Sequence, residues 1–142
     1  MIWKLLKHLK NGDAWGDPDK MDFFILVIVD NIMNALPVGC RAKIHCGYKT
    51  SGHSSKSMHY HGKAIDFHVV GVPFLTAETL IMADLHDTGL IENVGIGIYP
   101  DWNNPGFHID SRGNRASWAK IKDDYVAYAE GLKYAKTKFN GE

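Results

Sequence analysis

Apolar and polar positions alternate along the chain with two different periods, and these periods predict where helices and strands lie. In residues 2–10, Ile2, Leu5, Leu6 and Leu9 fall on one face, which is typical of a short amphipathic helix. The pattern predicts further elements in this order: a buried helix at 21–36, strands at 40–48 and 63–70, a helix at 76–90, strands at 92–100 and 106–112, and a helix at 117–139.

Turn residues set the limits of these predicted elements. Pro37 and Gly39 follow the second helix, and Thr76 is the expected N-cap of the third. The last helix contains Gly131, where a break is expected. Strands joined by short turns favour antiparallel pairing. The sequence therefore predicts a single domain of the α+β class over residues 1–142, with helices packed on a small antiparallel sheet.

Composition and charge narrow the classes of partner. The 142 residues include 16 basic and 16 acidic side chains, so no net charge attracts nucleic acid or an anionic membrane surface. The longest apolar run, residues 23–29, is far shorter than the roughly 20 residues of a membrane span. Lysines interrupt the apolar N-terminus, which is not typical of a secretory signal. We expect a monomer synthesised in the cytoplasm, with no nucleic-acid partner and no membrane insertion.

The two cysteines are too few for a disulfide framework. Cys40 and Cys46 lie six residues apart in a predicted strand. At about 3.3 Å per residue this separation is roughly 20 Å, which no disulfide can bridge. We therefore expect two free thiols, buried or half-buried as cysteine side chains usually are.

A group of histidines and one aspartate carries the candidate chemistry. In the strand at 63–70, Asp66 lies between Ile65 and Phe67, and in the strand at 106–112, His108 lies between Phe107 and Ile109. A polar side chain in an apolar strand needs a partner, and one metal ion could serve both.

His59 is the third candidate metal ligand. It precedes Gly62, which can turn the chain sharply before the strand at 63–70 begins. His61 and His68 compete for the same role, because His68 shares the strand face of Asp66. Two alternatives stay open on the residues alone: a hydrogen-bonded network without metal, and histidines that simply face solvent.

The motif "SMHYHGKAID", residues 57–66, has the pattern Ser-x-His-x-x-Gly-x-Ala-x-Asp. It resembles the zinc D-alanyl-D-alanine peptidase family, whose fold is shared with the hedgehog signalling domain. The segments "CGYKT" and "GIGIYPDWNNPGFHIDSRGNRASW" are similar to two further elements of that family, and most of all to its murein endopeptidase branch. The resemblance covers roughly residues 39–118 and implies a fold of the hedgehog and D,D-peptidase type.

The resemblance implies roles for several residues. His59, Asp66 and His108 would bind one zinc ion per chain. Ser57 would orient the loop or donate a supporting hydrogen bond. Lys49 stands where the family usually has arginine, a cation that holds substrate and supports the oxyanion. Lysine keeps that charge but loses the planar fork of arginine.

The general base is less well defined. In the carboxypeptidase branch an acidic residue sits three positions before the last ligand, and here that position is Pro105. Asp110 lies two residues after His108, on the same strand face, and is the first choice. Its alternative role is structural. Asp101 and His61 are the other two candidates for the base.

Aromatic and further histidine residues complete the predicted site. Tyr99, Trp102 and Tyr60 could form a wall for substrate, or could pack at the rim of the core. His68 is expected to contact the metal ligands without binding the ion itself. His53 is expected in a surface loop, close enough in sequence to line the site.

The activity implied by the resemblance is zinc-dependent cleavage of peptidoglycan stem peptides, at a bond involving a D-amino acid or diaminopimelate. Both endopeptidase and carboxypeptidase action are compatible with the residues. A phage endolysin or virion-associated lysin is the expected setting, acting on the cell wall after release or delivery. The alternatives are a non-catalytic zinc-binding domain that uses this fold to bind a partner, and a structural domain without metal.

Overall fold

The computed structural model describes residues 2–140, and a six-stranded mixed sheet forms its centre. The strands are β1 (Arg41–Cys46), β2 (Ala64–Val70), β3 (Gly95–Tyr99), β4 (Gly106–Asp110), β5 (Ala116–Ile121) and β6 (Asp124–Val126). The helices are α1 (Phe23–Asn34), α2 (Phe74–Asp87) and α3 (Tyr128–Lys138), with short 3-10 helices at Ile2–Leu5, Pro18–Lys20, Met58–His61 and Leu90–Asn93. The strand order is β1-β2-β4-β3-β5-β6.

The α+β class is confirmed, and so are the buried helix α1 and the first four strands. Asp22 caps α1, because its carboxylate accepts a hydrogen bond from the backbone N–H of Phe24 at 3.2 Å. Cys40 and Cys46 are free thiols, as predicted from their separation. Within residues 2–140, no helix is long and apolar enough to cross a membrane.

The prediction of an entirely antiparallel sheet is wrong for one pair of strands. β5 runs parallel to β3, with Gly97 opposite Trp118 in the register, whereas all other pairs are antiparallel. The long helix predicted at 117–139 is replaced by β5, β6 and the shorter α3. The strand pairing of residues 116–121 buries Ala119 completely, an advantage that is not visible in the helical pattern of the segment.

Gly131 lies within α3 and does not break it. A Cβ atom at this position would lie 2.0 Å from the Cβ of Ala119, so the absence of a side chain lets α3 approach β5 closely. The glycine therefore serves the contact between helix and sheet.

The predicted helix at 2–10 and the predicted start of α2 are also wrong. The N-terminal segment forms only the 3-10 turn Ile2–Leu5, because the buried carboxylate of Asp30 accepts hydrogen bonds from the backbone N–H groups of residues 7–9. Those three donors satisfy the charge of Asp30 and hold the segment in a non-helical path. Helix α2 begins at Phe74, and its N-cap, Pro73, lies three residues before the predicted cap at Thr76.

Alternating residues of β2 and β4 separate the core from the opposite face of the sheet. Ile65, Phe67, Phe107 and Ile109 are at most 1% exposed and belong to the hydrophobic core, where α1 and α2 contact these strands. The residues between them point to the other side, as the period of a strand requires. That other side carries the polar cluster.

Candidate metal centre

The backbone brings the three predicted metal ligands together. Asp66 on β2 is directly opposite His108 on β4. His59 lies in the 3-10 turn Met58–His61, whose N-cap Ser57 accepts a hydrogen bond from the backbone N–H of His59 at 3.2 Å. Gly62 ends that turn with a φ of 67°, and a side chain there would collide with the carbonyl oxygen of Lys20. The turn therefore positions His59 next to the start of β2.

The carboxylate of Asp66 lies between the two imidazoles. Its Oδ2 is 3.2 Å from Nε2 of His59, and its Oδ1 is 2.8 Å from Nδ1 of His108. One ligand atom from each residue falls within 4.8 Å of the others, a spacing at which the three could hold a metal ion. His59 and His108 are both buried, so the group lies at the floor of a depression rather than on an open surface.

The remaining nitrogen of each ring has its own partner. Nδ1 of His59 donates a hydrogen bond to the carbonyl oxygen of Gly47 at 2.7 Å. Nε2 of His108 donates a hydrogen bond to Oδ2 of Asp110 at 2.7 Å. In the neutral rings, the free lone pairs therefore face Asp66. Metal-binding histidines in proteins are usually oriented by acceptors of this kind.

Asp110 is fully buried and has a second partner. Arg112 donates to both of its oxygens, from Nε at 2.8 Å and from Nη2 at 2.7 Å. Gly95 leaves room for this pair, because a Cβ there would lie 2.5 Å from the Arg112 Nε. Burial raises the pKa of Asp110, but the bonds from Arg112 and His108 outweigh it and hold the pKa well below its ordinary value. These contacts favour an orienting role for Asp110 over a proton-accepting one.

The metal-free cluster is held by charge. Burial lowers the pKa of His59, yet its bonds to Asp66 and Cys46 raise it overall to about 10. Burial raises the pKa of Asp66, and the two histidines reverse this and hold it well below its ordinary value. His59 is therefore an imidazolium paired with a carboxylate when no ion is bound, and a metal must displace its proton to bind.

A second group of potential ligands meets the first at His59. It consists of Cys46 at the end of β1, His53 in the following loop, and His59 itself. The Sγ of Cys46 is 3.5 Å from Nδ1 of His59 and 3.9 Å from Nε2 of His53. The rings of His53 and His59 are stacked, with centroids 4.6 Å apart. The sequence pattern predicts only an ordinary buried thiol for Cys46 and does not connect it with the histidines.

The metal ligands line an open cleft of about 710 Å³. Tyr99 and Trp102 stack in its wall, with ring centroids 4.3 Å apart. Trp118 donates from its indole Nε1 to the Tyr99 hydroxyl at 2.9 Å, and Tyr125 continues the wall. Gly97 makes room for this arrangement, since a Cβ there would lie 2.5 Å from the Trp118 indole nitrogen.

Three cations also line the cleft: Lys56, Arg112 and Lys120. Arg112 is already paired with Asp110, whereas the ammonium of Lys120 lies 5.1 Å above the ring of Tyr125. Of the described acidic residues, only Asp66 and Asp110 line the cleft. The rim is therefore basic and suits an anionic ligand.

Trp118, Lys120 and Tyr125 were missed because the sequence pattern assigned them to a helix. Arg112 follows Asp110 by two residues, and that spacing is the one signal from which its pairing could have been suspected.

Other residues singled out from the sequence lie elsewhere. Lys49 is exposed and is not among the described residues that line the cleft; its backbone N–H donates to the carbonyl oxygen of His59. Asp101 accepts from Lys138 at 2.6 Å and from Tyr134 at 2.7 Å, so its carboxylate links α3 to the turn after β3. Neither position fits a group that touches substrate.

The remaining histidines and Tyr60 have other partners. His61 is exposed and does not line the cleft. His68 makes a short hydrogen bond with His45, whose ring stacks on Trp102. The Tyr60 hydroxyl donates to the carbonyl oxygen of His53 at 2.6 Å, so this residue holds the His53 loop and does not form part of the wall.

No protein-family model matches the chain, and no match is found among curated proteins or among solved structures. The family resemblance therefore stays a prediction from the motifs of residues 39–118. What the structure adds is independent of that resemblance: buried histidine, aspartate and cysteine side chains that could hold a metal ion.

Proposed function

We propose that this protein is a zinc-dependent peptidase that cleaves peptide bonds of peptidoglycan, at a D-amino acid or diaminopimelate. The observation that carries the proposal is the convergence of His59, Asp66 and His108 on one point at the floor of a cleft. The motif resemblance supplies the substrate class. A cleft of about 710 Å³ with aromatic walls and a basic rim suits a peptide that bears free carboxylates.

Zinc suits the donor set, which offers two imidazole nitrogens and one carboxylate oxygen and leaves a side open to the cleft. The hydrogen bonds from His59 to Gly47 and from His108 to Asp110 orient the rings for such a ligand role. A bound zinc ion supplies polarisation of the scissile carbonyl and a lowered pKa for water.

His53 is the residue that we assign as proton acceptor. Both acidic residues of the cleft are engaged, Asp66 with the two histidines and Asp110 with Arg112. His53 lines the cleft beside His59, and its loop is held by Tyr60. Burial and the nearby His59 lower the pKa of His53, so its ring is neutral near pH 7 and can take a proton from water and return it to the leaving amine.

The basic rim would position the substrate. Lys56 and Lys120 line the cleft and form no ion pair with any described carboxylate, so both are available to a carboxylate of the stem peptide. They take the place of Lys49, to which the resemblance assigned this role. Tyr99 and Trp102 would stack against the aliphatic parts of the peptide.

A second candidate is a non-catalytic metal-binding domain that recognises a partner through the same cleft. It is favoured by the engagement of both cleft carboxylates, since neither is free to act as a base. This alternative predicts metal and peptide binding without turnover.

Digestion of purified peptidoglycan separates these candidates. The zinc-loaded protein should release muropeptides, identified by mass spectrometry, and a chelator should stop the release until zinc is restored. His59→Ala should be inactive, while His61→Ala, two residues away in the same turn, should keep full activity. The released fragments identify the bond and distinguish endopeptidase from carboxypeptidase action. Metal binding without any products from Gram-negative or Gram-positive peptidoglycan would refute the peptidase and leave the binding domain.

His53→Gln tests the assignment of the proton acceptor. We expect kcat to fall by about 100-fold or more, which is typical of a lost general base, while the zinc content stays unchanged. An unchanged kcat would rule His53 out.

A further inference from the structure

We propose that Cys46, His53 and Nδ1 of His59 form a second metal site, selective for soft ions such as cadmium or copper(I), that competes with the first site for His59. The inference builds on the metal ligands of the proposed function, but not on the peptidase reaction. The thiol and the exposed histidine have no part in the zinc set, and they lie directly beside it.

The two sulfur–nitrogen distances in this group fit a tetrahedral ion. For an ion of the size of zinc, metal–sulfur bonds of about 2.3 Å and metal–nitrogen bonds of about 2.0–2.1 Å place sulfur and nitrogen roughly 3.6 Å apart on a tetrahedron, and a larger ion widens this separation. The observed separations from the Cys46 Sγ are 3.5 Å to His59 and 3.9 Å to His53. Small side-chain movements therefore suffice, and the cleft beside His53 leaves room for water or another ligand in the fourth position.

Selectivity follows from the donor atoms. The first set (His59, Asp66 and His108) offers nitrogen and oxygen only. The second set (Cys46, His53 and His59) adds a thiolate, which favours soft ions. Binding replaces the proton of the Cys46 thiol, which passes to solvent. Cys46 is buried, whereas His53 is exposed and lines the cleft, so an arriving ion can bind the imidazole first.

Competition follows from the chemistry of imidazole. His59 faces Asp66 with Nε2 and faces Cys46 with Nδ1, and a neutral imidazole has one free lone pair. With the proton on Nδ1, shared with the Gly47 carbonyl, Nε2 is available to the first set. An ion at Nδ1 needs the proton on the opposite nitrogen and breaks the bond to Gly47. One histidine therefore serves one ion at a time.

This arrangement predicts inhibition by soft metals. An ion in the second set would withdraw His59 from zinc and would also occupy His53, the proposed proton acceptor. Two functions of the cleft would then be lost in a single binding event.

Cadmium titration tests the site without any enzymatic assay. The readout is the ultraviolet charge-transfer absorption of a cadmium–thiolate bond, recorded with a reductant that lacks thiols. The wild-type chain and Cys40→Ser should both show the absorption, because Cys40 lies apart, next to Gly71. Cys46→Ser should lose it while still binding zinc, and His53→Gln should weaken cadmium binding by about tenfold or more.

Two further variants test the sharing of His59. Asp66→Asn, which disables only the first set, should keep the cadmium–thiolate absorption, and His59→Gln should weaken both cadmium and zinc binding. In the wild type, bound zinc should raise the cadmium concentration needed for half of the absorption change. Absorption that survives in Cys46→Ser, or that fails to appear in wild type, overturns the site. Simultaneous binding of one zinc and one thiolate-bound cadmium per chain overturns the competition.

Discussion

The two faces of strands β2 and β4 use adjacent residues for opposite purposes. On one face, Ile65 and Phe67 are completely buried against helices and need no specific partner. On the other, Asp66 and His108 are also largely buried, but each polar atom is matched to a particular acceptor or donor. Burial stabilises the first face and would destabilise the second if any partner were lost.

This difference indicates how the chain divides stability from chemistry. A core side chain contributes through area and volume, so its loss should affect the free energy of unfolding and leave the polar face intact. A residue of the polar cluster contributes through one atom at one distance, so its loss should affect metal binding first. The following variants test that division, beginning with the largest expected effect.

Removing Asp66 should abolish zinc binding by His59, Asp66 and His108. Its carboxylate faces both histidines and is the only oxygen donor of the three-residue set. We expect Asp66→Ala to contain almost no zinc after equilibrium dialysis and elemental analysis, against about one zinc per wild-type chain. His68→Ala is the matched control, because it lies two residues on along the same strand face but bonds to His45. If the control loses zinc and Asp66→Ala keeps it, the assignment of ligands is wrong.

Truncating Phe67 should affect the stability of the fold and not the binding of zinc. The side chain is completely buried and packs against Phe107 at 5.7 Å between ring centroids. Phe67→Ala should lower the free energy of unfolding by about 3–5 kcal/mol, measured in urea. Its zinc affinity under folding conditions should equal that of wild type. Phe24→Ala, at a position that is 47% exposed, should change stability by less than about 0.5 kcal/mol. A large loss of zinc affinity in folded Phe67→Ala would show that the two faces are not independent.

Neutralising Asp110 should weaken metal binding without abolishing it. The carboxylate orients His108 and pairs with Arg112, so Asp110→Asn removes a charge that supports the ligand. Supporting groups of this kind typically contribute 10- to 100-fold in metal affinity, about 1.4 to 2.7 kcal/mol.

Asp101→Asn is the matched control for Asp110→Asn, because it makes the same chemical change at a residue that does not line the cleft. Its zinc affinity should equal that of wild type. If Asp110→Asn also keeps full zinc affinity but loses activity, Asp110 is the general base after all.

Asp101→Asn should have the smallest effect on stability, and that effect should depend on pH. Burial raises its pKa, but bonds from Lys138 and Tyr134 outweigh this and hold it below the ordinary value of 3.8. The stabilisation is therefore present above pH 3.8 and is lost as pH falls toward the lower pKa of the folded state. Asp101→Asn should be less stable at pH 7 by at most about 1 kcal/mol, since the pair is partly exposed. In urea unfolding the difference should narrow by pH 3; a difference that widens there would contradict the pairing.

The parts of the fold that could be predicted depend on local pattern. Helix α1 has a long apolar stretch with a capping aspartate, and β2 alternates between core and polar residues, so neither needs a distant partner to be recognised. The relation of His59 to Asp66 was likewise local, because Gly62 and a short strand separate them. His108 could be added because it interrupts a second apolar strand.

The rest depends on contacts between distant segments. Residues 116–121 form a strand because they pair in parallel with the edge of β3. Nothing within the segment itself indicates that partner. The N-terminal segment departs from a helix because Asp30, more than 20 residues away, binds its backbone. The thiol of Cys46 reaches His53 and His59 across a loop, and sequence spacing alone does not report that distance.

Anomalous diffraction at the zinc absorption edge, from crystals of the zinc-loaded protein, would locate the bound ion and so identify its ligands. We expect one strong peak among Nε2 of His59, a carboxylate oxygen of Asp66 and Nδ1 of His108, each about 2.0–2.2 Å from the ion. The bonds from His59 to Gly47 and from His108 to Asp110 should persist. A peak on Nε2 of His108, or one that does not involve Asp66, would show that His59, Asp66 and His108 do not bind the ion as proposed.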